Sequence, residues 1–323
     1  MALLEAFRSA MSQLGLSGKL HVTDITSSSA AFHRADEGIV APAVRSDEYV
    51  PALLEIVRSR RISLLVPLTD LDLLCLSREQ GQFDRLGCTV MIGPEPAIAL
   101  CRDKAQTDEL LKRAGLARIE TLTLDDFRRR PFYPCFVKPI SGSGSIGSGV
   151  VRDERELVAH VATFGELMVV QEYVTGQEFT VDVYRSRDGE VRCVVPRQRL
   201  LVRSGEVEKG LTVNDPRIIA AASRLVGMLD GLWGVVCCQC RRDHEGQLRF
   251  FEINPRFGGG APLSIAAGAN LPLYLLQEVL GLPITARIGD FTDHLLMMRY
   301  HEAVFTQVED PESLEGYAKP LFR

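Results

Sequence analysis

The segment FFEINPRFGGG, residues 250–260, constrains the fold of this chain most strongly. Glu252 and Asn254 are two positions apart, so on a strand they share one face while the apolar residues between them occupy the other. Pro255 predicts that the strand ends there, because proline cannot donate to a central ladder. The turn DHEG joins this strand to a preceding apolar run, GVVCCQCRR, as an antiparallel pair. The pattern therefore predicts a hairpin with one buried face and one polar face.

The polar face of this hairpin has the chemistry of a magnesium site. The turn brings Gln239 from the partner strand onto roughly the face of Glu252 and Asn254, with a register uncertainty of one residue. A carboxylate, two amide oxygens and nucleotide phosphates make an all-oxygen site that suits Mg²⁺. Arg256 continues the same face and could bind an anion through both arms of its guanidinium. The alternative is a polar strand edge that faces solvent.

A glycine-rich loop earlier in the chain suits phosphate binding. The sequence SGSGSIGSG contains G-x-G-x-x-G at Gly142, Gly144 and Gly147, a pattern that dinucleotide-binding folds also use. In those folds the last glycine opens a helix, whereas here the strand-like pair Val150 and Val151 follows. We therefore expect a flap between two strands whose backbone N–H groups cover phosphates. An ordinary flexible hairpin is the alternative.

Lys138 lies at the end of the strand CFVKP, just before Pro139 and the glycine loop. An ammonium group there can reach phosphate oxygens as a point charge. The alternative is a strand-end lysine that extends into solvent. The proximity of the loop favours a nucleotide-phosphate site.

The order of these motifs resembles the ATP-grasp superfamily. The motifs K-P, G-x-G-S-x-G, V-V-Q-E-Y-V-x-G-x-E and Q…E-I-N-P-R follow one another, and the resemblance covers residues 20–285. They are most similar to the branch of carboxylate–amine ligases that includes the large subunit of carbamoyl-phosphate synthase. The resemblance implies ATP-dependent activation of a carboxylate as an acyl-phosphate, attack by an amine, and release of ADP and phosphate.

The resemblance also implies a domain plan. An α/β, Rossmann-like N-terminal domain would span 1–100. An α+β ATP-grasp domain would span 101–323, with a small lid at 135–175 and ATP held between two antiparallel sheets. Within that second domain, the periodicity of apolar residues predicts a helix at 101–117. A second helix, with many small residues, is expected at 262–281.

By the same resemblance, individual residues acquire roles. Lys138 and Arg256 would be catalytic, with Arg256 on the γ-phosphate or acyl-phosphate, and Gln171–Val174 would be the hinge behind the adenine. The residues expected to bind ATP are Lys104, Lys138, Gly142, Ser143, Gly144, Ser145, Gly147, Gln171, Glu172, Tyr173, Val174 and, on the ribose, Glu178. Mg²⁺, with Mn²⁺ as an alternative ion, would be held by Gln239, Glu252 and Asn254.

A basic loop lies where related ligases pass close to the acceptor site. Arg199, Arg203 and Lys209 in PRQRLLVRSGEVEKG could hold a carboxylate or a phosphoryl group there. A solvated loop is the alternative.

The N-terminal region alternates helices with the short apolar runs LHVTDI, SLLVPL and CTVMI, which predicts a parallel sheet covered by helices. Chains that this one resembles open with a β-strand and a short loop, whereas this sequence starts with the helix MALLEAFRSA. We therefore expect the first strand to be missing, with the defect repaired by dimer contacts or expressed as poor acceptor binding. ATP binding would survive.

Composition narrows the classes of partner. The net charge is −5 and basic clusters are short, which argues against nucleic acid. The sequence lacks a run of about 18 apolar residues, so we expect no membrane span. Eight cysteines, including Cys237, Cys238 and Cys240, are expected to be buried reduced thiols, which favours a cytoplasmic protein. The expected partners are a small-molecule carboxylate and an amine, with a homodimer left open.

Two other functions stay open at this stage. One is a nucleotide-binding regulatory module without catalysis, against which Lys138, Glu252 and Asn254 argue. The other is a nicotinamide oxidoreductase that uses the G-x-G-x-x-G pattern, against which the strand after Gly147 argues.

Overall fold

The structure, a computed structural model, describes residues 1–140, 147–203 and 205–307. The helices are α1 Ala2–Gln13, α2 Ala30–Arg34, α3 Tyr49–Arg60, α4 Leu73–Arg78, α5 Gln80–Arg85, α6 Glu95–Arg102, α7 Lys104–Arg113, α8 Leu124–Arg129, α9 Glu154–Phe164, α10 Pro216–Gly227, α11 Ala261–Ala266 and α12 Leu271–Val279. The strands are β1 His21–Asp24, β2 Glu37–Val40, β3 Leu64–Leu65, β4 Thr89–Val90, β5 Ala117–Arg118, β6 Thr121–Thr123, β7 Cys135–Pro139, β8 Gly149–Val151, β9 Met168–Glu172, β10 Gln177–Arg185, β11 Val191–Arg203, β12 Glu206–Thr212, β13 Gly234–Arg242, β14 Leu248–Asn254 and β15 Leu296–Met298.

The chain divides into two compact units. Among the described residues, the first comprises those within 1–92, 270–285 and 299–307, and the second comprises those within 93–269 and 286–298. The boundary placed at residue 100 from the sequence stays a prediction.

The first unit contains two parallel strand pairs, β1 with β2 and β3 with β4. Helix α3 buries Tyr49, Leu53 and Val57, and α12 packs against α1. The buried Tyr49 hydroxyl donates to the Asp72 carboxylate at 3.1 Å. Parallel strands accompanied by helices are the α/β arrangement that the alternating N-terminal sequence predicts.

The second unit is built around a seven-stranded sheet with the order β15-β12-β11-β10-β13-β14-β5. Its pairs are antiparallel except β14 and β5, which run parallel, so the sheet is mixed rather than purely antiparallel. Helix α10 packs against β10 and β11, while α6 and α7 pack against β14.

A smaller, wholly antiparallel sheet in the same unit has the order β6-β9-β7-β8. Its core includes the buried side chains of Phe127, Val137 and Val170. Strands β7 and β8 pair directly, with Val137 opposite Gly149, so the glycine-rich segment joins two strands as predicted. Helix α9 begins with a side-chain cap, where the Asp153 carboxylate accepts from the Glu156 amide at 2.9 Å.

Neither of the two long helices predicted in the second domain is continuous. The helix expected at 101–117 is interrupted at Asp103, whose extended backbone ends α6 and whose carboxylate accepts from the Gln106 amide at 3.1 Å. The helix expected at 262–281 is interrupted after α11, because Gly268 has φ +106° and Asn270 caps α12. Local capping chemistry interrupts both predicted helices.

The fold class predicted from the sequence is confirmed: an α/β N-terminal part and a second unit with two sheets. All eight cysteines are free thiols, and seven of them are buried, as predicted. Within the described residues, none of the helices is long and apolar enough to cross a membrane.

Candidate functional site

Lys138 lies near the end of β7 in the smaller sheet, opposite Val169 of β9. Its ammonium nitrogen is 5.9 Å from the centre of the Phe251 ring on β14. Burial lowers the pKa of Lys138 to about 8, with Glu252 acting to raise it and Lys104 to lower it. Glu252 is therefore close enough to Lys104 and Lys138 to act on the pKa of both, although the three residues come from β14, α7 and β7.

Lys104 is the first residue of α7, as a result of the helix break at Asp103. Its ammonium donates to the carbonyl of Pro139 at 3.2 Å and also to that of Ile140. Burial lowers the pKa of Lys104, while Glu252 acts to raise it. Lys104 is thus held at the base of the glycine-rich segment, where the resemblance places a phosphate contact.

Four predicted ATP-binding residues, namely Gly142, Ser143, Gly144 and Ser145, lie outside the described residues. Gly147 lies within them and has φ +69°, a conformation that favours glycine. A Cβ atom there would come within 3.3 Å of the Phe164 ring, and the Gly147 carbonyl is 2.9 Å from the His160 Nε2 atom. The closing end of the predicted flap is therefore packed against α9.

The predicted metal-binding side chains meet on the larger sheet. Gln239 lies directly opposite Glu252, and Cys237 lies opposite Asn254, so the register expected from the sequence is confirmed. The Gln239 side-chain oxygen accepts from Arg199 at 3.4 Å.

The donor set of this face fits magnesium together with a nucleotide. Among the described residues, no group of three or more His, Cys, Asp or Glu side chains could hold a metal ion by itself. One carboxylate and neighbouring amide oxygens are nevertheless a normal protein share for Mg²⁺, which takes its other ligands from phosphates and water.

The predicted adenine hinge begins within β9, which ends with Gln171 and Glu172, and continues through Tyr173 and Val174. Two arginines of the larger sheet tether it. Arg249 pairs with the Glu172 carboxylate at 2.9 Å, and Arg241 donates to the Val174 carbonyl at 3.0 Å. Neither arginine was predicted from the sequence, because their partners lie more than 60 residues away along the chain.

Glu178, the predicted ribose contact, lies between two arginines. Arg199 approaches one carboxylate oxygen at 3.1 Å, and Arg241 binds the other. Because Arg199 also reaches Gln239, it links the predicted ribose contact to the predicted metal site.

The basic cluster predicted for the acceptor is not one loop. Arg199 and Arg203 belong to β11 and Lys209 to β12, and register shifts follow Arg199. The Arg199 side chain is 10% exposed within the polar face, whereas that of Arg203 is 72% exposed and lies 3.5 Å from Glu208. Lys209 is exposed as well. Irregular pairing of this kind changes the direction of the side chains that follow it.

Arg256 lies just beyond β14. Its backbone amide donates to the Asn254 carbonyl at 2.8 Å, and its guanidinium donates to the Phe257 carbonyl at 2.9 Å. Beneath the following glycines lies a buried ion pair, formed by Asp182 and Arg197, that was not predicted from the sequence.

Two family models match the sequence. Residues 164–302 match the model described as "ATP-grasp in the biosynthetic pathway with Ter operon". Residues 1–91 match the model described as "PylC-like, N-terminal domain". This chain carries an ATP-grasp domain. The recognition made from the order of motifs is therefore confirmed, and a PylC-like domain occupies the N-terminal residues of this ATP-grasp protein.

Curated relatives of this ATP-grasp protein are named as ligases. The 3-methyl-D-ornithine–L-lysine ligase of Methanosarcina acetivorans is 29% identical over 83% of this chain and 69% of its own length. The D-alanine–D-alanine ligase of Bacillus anthracis is 28% identical over 32% of this chain. That match spans only 38% of the Bacillus protein.

Solved structures share the fold. Biotin carboxylase from Campylobacter jejuni, crystallised with a β,γ-ATP ligand, has a TM-score of 0.72 at 16% identity, covering 91% of this chain and 72% of that one. An L-amino acid ligase from Bacillus licheniformis has a TM-score of 0.66 at 19% identity, covering 86% and 72%. A biotin carboxylase domain dimer from Hydrogenobacter thermophilus, in complex with MgADP, has a TM-score of 0.69 at 18% identity, covering 90% and 70%.

Proposed function

We propose that this protein is an ATP-dependent ligase that converts a carboxylate into an acyl-phosphate and couples it to an amine. The observation that carries the proposal is the position of two cations next to the strand of Glu252: Lys138 lies 5.9 Å from the Phe251 ring, Lys104 donates to the Pro139 carbonyl, and Glu252 acts on the pKa of both lysines. Phosphoryl transfer requires this combination of positive charge at the phosphates and an oxygen-rich metal face.

The side chains divide the work by position. Lys138 and Lys104 would bind phosphate oxygens, the hinge at 171–174 would enclose the adenine, and Glu178 would accept from the ribose. Arg256 would stabilise the charge on the transferred phosphoryl group. The larger sheet contributes orientation and fixed charge, which are the main protein contributions to such reactions.

Mg²⁺ would be held by Glu252, Asn254 and Gln239, and it would neutralise negative charge on the nucleotide phosphates. The complex of one fold relative with MgADP supports this ion. Mn²⁺ also prefers oxygen ligands and is proposed as a substitute.

The substrates are inferred to be a small carboxylate and a small amine. Both curated relatives described above are named for ligation of two amino acids, which supports this class. Of the three basic residues first assigned to the acceptor, Arg199 is better placed for the nucleotide phosphates, because it lies between Glu178 and Gln239. Arg203 and Lys209 remain proposed contacts for an anionic group. We further propose a cytoplasmic homodimer.

The test is nucleotide turnover across a panel of amino-acid carboxylates and amines, with ADP, AMP, phosphate and pyrophosphate all quantified. The proposed ligase should release ADP and phosphate in equal amounts, and this release should require both substrates. AMP and pyrophosphate would indicate adenylation instead, and ATP binding without turnover would favour a regulatory module. Binding of a reduced nicotinamide in preference to ATP would favour the oxidoreductase.

A further inference from the structure

Asp182 of β10 and Arg197 of β11 form a buried ion pair in the second unit. The Arg197 Nε atom lies 2.8 Å from Asp182 Oδ2, and the Nη2 atom lies 2.9 Å from Oδ1. Their side chains are 1% and 0% exposed. The hydroxyl of Ser264, on α11, donates to the same carboxylate at 2.6 Å. Two strands and a helix are therefore joined at one point.

Stability alone is a weak reason for such a pair. The free-energy cost of removing two charges from water offsets most of their mutual attraction in the core. Well-packed apolar side chains of similar volume often stabilise a core as well or better. A geometric function is a stronger reason, because a fork-to-fork pair holds both groups in fixed orientations.

The glycines that follow β14 pack directly onto this pair. A Cβ atom on Gly260 would lie 2.0 Å from Arg197 Nη1, and one on Gly258 would lie 2.7 Å from Cys237 Sγ and 3.4 Å from Arg197 Nη2. The structure gives neither glycine a positive φ, so close approach rather than backbone conformation explains them.

These glycines connect the pair to the proposed reaction centre. Two residues separate Gly258 from Pro255, and one of them is Arg256, whose guanidinium donates to the Phe257 carbonyl at 2.9 Å. Cys237, which touches the Gly258 position, is also the cross-strand neighbour of Asn254. A displacement of the loop formed by residues 256–260 would therefore move Arg256 and the end of β14 together.

We propose that the Asp182–Arg197 pair positions the loop 256–260. By fixing how closely this loop approaches the larger sheet, the pair also places Arg256 and Asn254. This role rests on the proposed ligase function for its effect on turnover. Its effect on metal-dependent nucleotide binding does not depend on ligase activity.

The first test uses Gly260→Ala, which pushes against the guanidinium without removing a charge, and Arg197→Lys, which keeps the charge but loses the fork. Both should lower kcat for ADP release about a hundredfold, the loss that misplacement by about 1 Å can cause. At saturating Mg²⁺ the KM for ATP should change less than threefold, because the hinge and Glu178 still hold the nucleoside. Gly227→Ala is the matched control, since a Cβ atom there meets nothing within 4 Å.

The double variant Arg197→Lys/Gly260→Ala separates positioning from general damage. Lysine does not carry the Nη1 atom that a Cβ on residue 260 would meet, so the two losses should not multiply and the double variant should match Arg197→Lys. Multiplying losses, or unchanged kcat in folded single variants, would overturn the proposal. If Gly260→Ala fails to fold, Arg197→Lys alone decides the question by the same kcat and KM criteria.

A second readout tests the geometry if the wild-type protein releases no ADP with any substrate. Calorimetric titration of ADP at increasing Mg²⁺ should show that both single variants need at least fivefold more Mg²⁺ for half-maximal enhancement of binding. Metal-free ADP should bind all proteins equally. Identical Mg²⁺ dependence in wild type and folded variants would refute the positioning role, whereas absence of turnover in the wild type with a shifted Mg²⁺ dependence would refute only the ligase function.

Discussion

The two sheets of the second unit carry charge in different ways. On the larger sheet, Asp182 and Arg197 neutralise one another, and Glu178 is held by arginines. On the smaller sheet, Lys138 is a cation whose burial lowers its pKa to about 8. The ion pairs of the larger sheet therefore hold its charged side chains in place before any ligand binds. The Lys138 ammonium on the smaller sheet, by contrast, is fully stabilised only when an anion binds beside it.

The largest effect should come from the smaller sheet. Lys138→Met keeps the bulk of the side chain and removes its charge, so ATP turnover should fall on the order of a thousandfold, as for loss of a group that stabilises a transition state. The fold should persist, because the pKa of this lysine shows that its charge is disfavoured by burial. Steady-state ADP release, with circular dichroism as the check on folding, measures the outcome.

Lys112→Met is the control for this change. Lys112 lies on the surface of α7 and pairs only with residues of its own helix among the contacts described. Normal turnover in a folded Lys138 variant would remove the functional distinction between the two sheets.

A smaller loss of turnover is expected from a substitution on the larger sheet. Glu252→Gln keeps the shape of the side chain and removes one charge, so turnover should fall roughly a hundredfold and the Mg²⁺ requirement should rise, since a carboxylate is the strongest protein ligand in the proposed site. Mg²⁺ titration of ADP release measures both changes.

Glu245→Gln is the matched control, because Glu245 is exposed in the turn of the same hairpin. Superimposable magnesium titrations for wild type and Glu252→Gln would show that Glu252 is not a ligand.

The pH dependence of ATP binding sharpens the comparison further. Lys138 should bind phosphate in its protonated form, and with a pKa of about 8 it loses that form as the pH rises. Affinity for ATP should therefore weaken about tenfold between pH 7 and pH 9, with uptake of a proton on binding at the higher pH. The same lowered pKa means that the unfolded state binds more protons above pH 8, so the ligand-free protein should gain stability there as the pH rises.

Calorimetry in buffers of different ionisation enthalpy measures the affinity and the proton uptake together. Lys138→Met should bind weakly at both pH values, without the tenfold change. A wild-type affinity that is flat from pH 7 to pH 9 would mean that the ammonium does not contact the phosphates.

The smallest effect should come from a structural residue of the smaller sheet's own helix. Asp153→Ala removes the cap of α9 and should destabilise the protein by about 1 kcal/mol, which lowers Tm by roughly 2–4 °C. Turnover at 25 °C should be unchanged, because Asp153 contacts only the start of α9 among the interactions described. A large loss of turnover would mean that the helix behind the glycine-rich segment positions it, and Asp153→Asn, which can still cap, should then restore activity.

Much of the candidate site could be predicted from local sequence. The alternation in FFEIN places Glu252 and Asn254 on one face, and Pro255 ends the strand, whatever the rest of the chain does. Strand signals on both sides of the glycine-rich segment predicted a flap rather than a dinucleotide-binding turn, and the pairing of β7 with β8 agrees. These inferences succeeded because they depend on side-chain periodicity and on proline and glycine, which act over a few residues.

Helix lengths were predicted less well, for a reason that is also local but easily overlooked. Asp103 and Asn270 cap helices that were predicted as parts of longer ones. The break at Asp103 has a functional consequence, since it puts Lys104 at the start of α7 and within reach of the Pro139 carbonyl.

The sequence by itself determined which residues could bind phosphate and metal and which strands would carry them. Only the tertiary structure decided that Asp182 pairs with Arg197. It also decided that Arg241 and Arg249 tether the hinge. The different environments of the Arg199 and Arg203 side chains likewise follow from the tertiary structure. The Asp182–Arg197 pair depends on the register of β10 and β11, the hinge contacts depend on how the two sheets meet, and the separation of Arg199 from Arg203 depends on the irregular pairing between β11 and β12. Since a shift of one residue reverses the face of every side chain that follows, no local pattern can predict such contacts.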